Sequence, residues 1–328
     1  MGLVVSYPQS RITQRAVLLV LCLVICACQP TSPRPSLSAV PAPRLSDSPV
    51  FARRYEAGEQ LAYEMHGLNQ RPGRTIRYEA YALGTVKADS SNGFVEEFRW
   101  DRLSIDGAAY ELSPGSKEFR QYLSLAPGYR LSVPPLNKVQ PALIGPITDL
   151  LTFYVDVQLA MKQATLLHEG DHVHIKRDKP NSWADGHRVL LGEDAVDFDI
   201  LVKSIDQAAH RATLVVKHVP PADPQIKLSA DWMHEPLNPM YRNNWVQIIK
   251  NDDGTYDAGV GQETFEAKIT ISTQSGRIIS ASLDNPVEVQ QRTCDDPGMT
   301  HCGSPLRYRI QRTISLDARA SAGGIAPH

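Results

Sequence analysis

The sequence predicts a mainly β fold: a large antiparallel sheet, curled as a half-barrel or stacked as a sandwich, with one principal helix over 146–161. Three observations predict it. Apolar and polar residues alternate with period two in segment after segment, as in strands with one buried and one wet face. Short turn sequences such as DSSNG, DG and QSG separate these segments, and strands joined by short turns pair antiparallel. Helical spacing is clear in one stretch, PITDLLTFYVDVQLAM.

The strands follow in order. Segments 61–66, 75–86, 93–103 and 109–112 form a first series. In the helix, Ile147, Leu150, Leu151, Tyr154, Val157 and Met161 recur at i, i+3, i+4 and i+7. Pro146 suits the first turn, where a missing N–H costs nothing. Asp149, Thr152 and Asp156 fall on the other face, so the helix should pack one side on the sheet. A second series covers 173–175, 188–191, 196–205 and 212–219. After a Pro-rich excursion over 220–244 come 245–250, 256–260, 264–273, 277–283 and 308–316.

The chain before residue 51 has a different character. Arg11 and Arg15 precede an unbroken apolar run from Ala16 to Ala27. Twelve residues make a helix of about 18 Å, short of the ~30 Å needed to span a bilayer and typical of a signal h-region. Ile25-Cys26-Ala27-Cys28 resembles the lipobox of bacterial lipoproteins. The resemblance implies a signal peptide over 1–27, cleavage before Cys28, a diacylglycerol on its thiol and an acyl chain on its new amino group. Gln29 in place of aspartate favours the outer membrane, with the body facing the periplasm. Residues 28–50, with six prolines and five serines after the cysteine, read as an extended tether of up to ~70 Å. The β body then covers 51–318, and residues 319–328 read as a loose, disordered tail. The opening of the body, Tyr55-Glu-Ala-Gly-Glu-Gln-Leu-Ala-Tyr63, is similar to the start of some periplasmic β-rich domains.

Charge excludes one class of partner. The chain carries 34 basic and 36 acidic side chains, and losing Arg11 and Arg15 with the signal takes the balance from −2 to −4. Neither the balance nor any run of lysines and arginines marks a nucleic-acid binder. Membrane contact is expected through the lipid anchor alone. Cys22, Cys26 and Cys28 belong to the signal region, which leaves Cys294 and Cys302 around the turn sequence DDPGMTH. Outside the cytoplasm such a pair is expected to close a loop as a disulfide.

Several residue sets could carry chemistry. His168-Glu169-Gly170-Asp171-His172 fits H-E-x-x-H, in which two histidines on one helical face hold zinc and the glutamate activates water. Glu193 stands where one branch of such hydrolases finds a third ligand. Gly170-Asp171, however, reads as a turn and Val173-His174-Ile175 as a strand, and off a helix i and i+4 no longer share a face. On a strand, His172 and His174 could be ligands, with His168, Glu193 or Asp194 completing the shell. Asp197 and Asp199 share a strand face and could act as acid and base or hold calcium. No G-x-S-x-G elbow or phosphate-binding G-x-x-x-x-G-K loop occurs. The long loops carry aromatic residues suited to a sugar, a peptide or a lipid chain: Trp183 in one, Trp232, Tyr241 and Asn243 in the other, then Trp245. The leading expectation is a non-enzymatic envelope protein that needs no cofactor and binds a hydrophobic, peptide or glycan ligand at those loops. The alternative is a zinc hydrolase using His168, Glu169 and His172.

Overall fold

The computed structural model describes residues 51–319, apart from 90–92, 133, 137, 178 and 184–188. The signal, the tether and the tail from residue 320 lie outside the described residues. Within them the alternating segments fold as β1 (Gln60–Arg71), β2 (Arg74–Asp89), β3 (Gly93–Ile105) and β4 (Ala108–Ala109). A single turn of helix, α1 (Pro114–Glu118), leads to β5 (Gln121–Leu123) and the long helix α2 (Pro141–Met161). Next come β6 (His172–Ile175), β7 (Asn181–Trp183), β8 (Val189–Asp194), β9 (Asp197–Asp206) and β10 (Arg211–Val219). The chain finishes with β11 (Trp245–Lys250), β12 (Tyr256–Glu263), β13 (Phe265–Ser272), β14 (Ile278–Cys294) and β15 (Leu306–Ala318). All are antiparallel members of one fifteen-stranded sheet that does not close into a barrel. Arg319 is not loose, as the polar tail suggested: its N–H donates to the Ala62 carbonyl at 2.8 Å.

The sheet forks. One stem runs β4-β3-β2-β1-β15-β14. The first half of β14 pairs with β13, from Ile278↔Ile271 to Asp284↔Glu266, and β10, β9 and β6 follow. The second half pairs with β12, from Val287↔Glu263 to Cys294↔Tyr256, and β11, β8 and β7 follow. Pro286 stands at the branch. Proline lacks the N–H a central strand must donate, so it is tolerated where the ladder is interrupted. The sequence pattern places a strand end at residue 283; the strand instead runs through the branch to Cys294.

The main core lies between α2, the stem and the β13-β10-β9 branch. Phe98, Tyr154, Leu150, Ile200, Ile269 and Leu316 belong to this one apolar cluster. Burying one such side chain is worth roughly 1.5–3 kcal/mol. By length and composition α2 could cross a membrane, yet most of it is buried inside this fold.

Two details of α2 differ from the sequence expectation. It starts at Pro141, so Pro146 lies inside it, where it deprives the Ala142 carbonyl of its helical partner. The Thr148 hydroxyl donates to the neighbouring carbonyls of Ile144 (3.1 Å) and Gly145 (2.9 Å). Asp149 and Asp156 are not on a wet face but fully buried. Tyr78 donates to Asp149 at 2.6 Å, and Arg312 pairs with the same carboxylate. Asp156 meets His218 at 3.0 Å. The Tyr78 ring crosses Gly67, its register partner on β1, where any Cβ would overlap the ring.

A second buried polar group closes the other end of the core. The Arg53 guanidinium donates to Glu96 at 2.8 Å and to Glu59 at 2.7 Å, and Tyr154 donates to the second oxygen of Glu96. Burial opposes the arginine's charge, but Glu96 and Glu59 outweigh it and hold its pKa above the ordinary value. Burial also pushes the Glu96 carboxyl up, while Arg53 pulls it back.

Candidate functional site

The β12-β11-β8-β7 branch has its own small core of Val246, Ile248, Ala258, Val260, Met233 and Met299. Met233 enters it from a 3₁₀ turn, Asp231–His234, within the excursion between β10 and β11. Met299 enters from the loop after β14. That loop is closed by the Cys294–Cys302 disulfide singled out in the sequence. At the loop tip, the Met299 carbonyl accepts the Trp232 indole N–H at 3.0 Å.

Two buried amides shape the rest of the excursion. Asn243 donates to the carbonyls of Met233 (2.8 Å) and Glu235 (2.9 Å), and its oxygen accepts the Leu237 N–H at 3.4 Å. Gln262 on β12 donates to the carbonyls of Tyr241 (2.7 Å) and Asn238 (3.2 Å). The segment thus holds one conformation, because its carbonyls are satisfied by Asn243 from within it and by Gln262 from the sheet.

Between this pinned loop and the strands lies an open groove of about 430 Å³. Leu237, Asn238 and Pro239 form one wall. Gln262, Glu288, Val289, Arg307 and Tyr308 form the other. Arg307 donates to Gln290 at 2.9 Å and Tyr308 to Gln291 at 2.5 Å, which fixes the direction of both side chains. Met240 (77% exposed) and Tyr241 (51%) project beside the groove. The surface offers a guanidinium, a carboxylate, a primary amide and an aromatic ring next to apolar walls.

The five loop residues expected to bind ligand have different fates. Tyr241 is half exposed on the same loop, two residues past Pro239, and is not part of the groove lining. Asn243 spends its amide on backbone. Trp232 is partly buried under the Arg292 guanidinium, 5.0 Å from its ring centre. Trp245 lies on Gly261, whose bare backbone leaves room for the indole, and packs with Val287, Val289 and Ile310. Trp183 pairs through its backbone with Gly192, and its side chain lies outside the described residues. Arg307, Tyr308, Glu288 and Gln262 were not anticipated. Their pattern is ordinary strand alternation, and only the arrangement of neighbours sets them apart.

The histidine-rich segment does not form the helix an H-E-x-x-H metal site requires. Gly170 turns with φ +89°, and Asp171 accepts the N–H groups of His168 (2.7 Å) and Leu167 (2.9 Å). These backbone bonds hold the Asp171 carboxyl below its ordinary value. Glu169 accepts the Ile205 N–H at 3.3 Å. His172 and His174 sit on β6 in one branch, and Glu193 sits on β8 in the other, taking the Ser182 hydroxyl (3.0 Å) and the Lys227 N–H (3.1 Å). Among the described residues no three His, Cys, Asp or Glu are grouped to hold a metal ion. The Asp197 and Asp199 carboxylates do converge, but on His174, at 3.5 and 2.6 Å.

The branch point itself holds two acids, Asp194 and Glu263. Glu263 is buried beside Asn285, which donates to it at 3.0 Å. Burial, then the nearby Asp194, push the Glu263 carboxyl up to about 8. Burial likewise pushes Asp194 up to about 6, against the pull of Arg177. Asn244 brackets the Glu263 backbone, accepting its N–H at 2.8 Å and donating to its carbonyl at 3.0 Å. The branch point thus adjoins the groove loop through consecutive residues, Gln262-Glu263 and Asn243-Asn244. Neither models of known protein families nor curated proteins match this chain.

Proposed function

We propose that this chain is a lipid-anchored envelope protein, held to the outer membrane through Cys28, whose β body is a non-enzymatic binding module. The observation that carries the reading is the groove, with a loop wall fixed by Asn243 and Gln262 and a floor presenting Arg307, Tyr308 and Glu288. Its apolar walls and spaced polar groups suit an extended hydrophobic, peptide or glycan ligand. The anchor rests on the lipobox resemblance.

Thermal unfolding of the mature chain in detergent tests the binding reading, against a panel of peptides, glycans and fatty acids. At least one class should raise the midpoint, and Tyr308→Ala should abolish that rise while unfolding cooperatively by itself. No rise with any class would end the proposal. The anchor has a separate readout: Cys28→Ser should move the protein from the membrane to the soluble fraction, and continued membrane attachment would refute lipidation there.

A further inference from the structure

β15 has unequal neighbours. Its pairing with β14 runs from Leu306↔Gln291 to Asp317↔Ser280. Its pairing with β1 covers only Gln311↔Gln70 to Ala318↔Tyr63. Beyond Gln70, β1 ends at Arg71 and turns through Pro72-Gly73 into β2. The stretch from Leu306 to Arg309 is therefore strand with a partner on one side. Among the described residues, nothing hydrogen-bonds its backbone on the other side. Every second residue of such an edge directs an N–H and a C=O outward, a template for another strand. β4, β5 and β7 are two or three residues long, one of the ways proteins blunt an edge. The β15 edge is four residues long, as is the edge strand β6, but among these edges it is the one that borders the groove.

The side chains around this edge select a charge. Arg71, Arg74, Arg307 and Arg309 are all exposed there. Glu288 pairs with Arg309 at 3.9 Å, and Asp257 also acts on Tyr308. In a chain whose net charge is −2, this is a local concentration of one sign. All four are arginines, whose planar guanidinium grips a carboxylate through two parallel bonds. Leu306 (57% exposed) and the half-buried Tyr308 supply apolar contacts between the charges. In strand addition, main-chain bonds give affinity and pockets for alternate side chains give specificity. Arginine fork, free edge and bordering groove are the three parts such a site needs.

We infer that the edge of β15 from Leu306 to Arg309 receives an extended acidic peptide as an added strand, its carboxylates on the arginines and its apolar side chains toward the groove. The inference rests on the binding reading and narrows its ligand to one class. It is tested by calorimetric titration of the full chain in detergent micelles with three synthetic ten-residue peptides. One alternates Glu and Val, one alternates Lys and Val, and one is the acidic peptide N-methylated at every second residue. The acidic peptide should bind at least about tenfold tighter than either of the others, a difference of ~1.4 kcal/mol. The Arg307→Glu, Arg309→Glu double variant, with its unfolding midpoint checked, should lose that binding.

Equal affinity for the acidic and N-methylated peptides would mean charge attraction without strand addition and would overturn the inference. So would an acidic peptide that fails to bind, which would leave the arginines as guards against edge pairing. Tighter binding of an oligogalacturonate would assign the surface to a glycan instead. If the acidic peptide fails while another ligand class still raises the thermal midpoint through Tyr308, only this inference falls. If every class fails, the binding reading falls with it.

Discussion

Replacing Arg53 with alanine should destabilise the protein by about 3–5 kcal/mol, the cost of leaving a buried carboxylate without its cation. Glu96 is 1% exposed, and its partners are Arg53 and Tyr154. Without the guanidinium, Glu96 must either hold an uncompensated charge in the core or take up a proton. The loss is large against the 5–15 kcal/mol of stability typical of a folded domain. Arg53 also donates to the carbonyls of Arg54 (2.7 Å) and Ser275 (3.2 Å), so the start of the body should loosen from the β13–β14 turn. Urea unfolding of the variant measures the change. The double replacement Arg53→Met, Glu96→Leu removes both charges and should recover much of the loss. A single variant within about 1 kcal/mol of the wild type would show that Glu96 does not depend on Arg53.

Glu263 should contribute a fall in stability of a few kcal/mol as pH rises from about 4.5 to about 8. The Glu263 carboxyl is raised in the fold from its ordinary 4.5, so the folded state keeps a proton the unfolded chain has released. Below pH 4.5 both states are protonated and the group contributes no difference. Between 4.5 and 8 the unfolded state gains increasingly by ionising. Above 8 both are ionised, and the fold bears the full cost of the buried charge. Asp194, raised from 3.8 to about 6, adds a smaller fall of the same sign at lower pH. Arg177 faces the pair, Asn285 donates to Glu263, and Glu193 adds repulsion to Asp194. In Glu263→Gln the decline between pH 6 and 8 should largely vanish, as measured by urea midpoints across that range. An unchanged decline would place the titrating group elsewhere.

Much of this architecture was legible in the chain. β11 matches its predicted segment, because Trp245-Val-Gln-Ile-Ile-Lys250 alternates cleanly between two faces and both ends are marked by turn residues. β14 was read too short because proline is a local stop signal, whereas its tolerance at Pro286 depends on a distant event, the parting of β12 and β13. Asp149 and Asp156 were read as solvated for a similar reason. Acidic residues opposite an apolar stripe normally face water, and nothing local to α2 announces that Arg312 and His218 will cover them. The site divides the same way. Tyr241 was visible as an aromatic residue on a long loop. The Arg307–Tyr308 edge was not, since whether a strand has one neighbour or two is decided by where β1 ends.

The pairing of β1 with β15 joins the first strand of the body to the last, with Tyr63 opposite Ala318. A chain emerging from the ribosome at roughly 5–20 residues per second presents β1, β2 and β3 long before β15 exists. Until then the inner edge of the β1–β3 meander, where β15 will pair, stays open. The body is therefore completed only when its C-terminal strand arrives, and the first strand waits longest for its second neighbour.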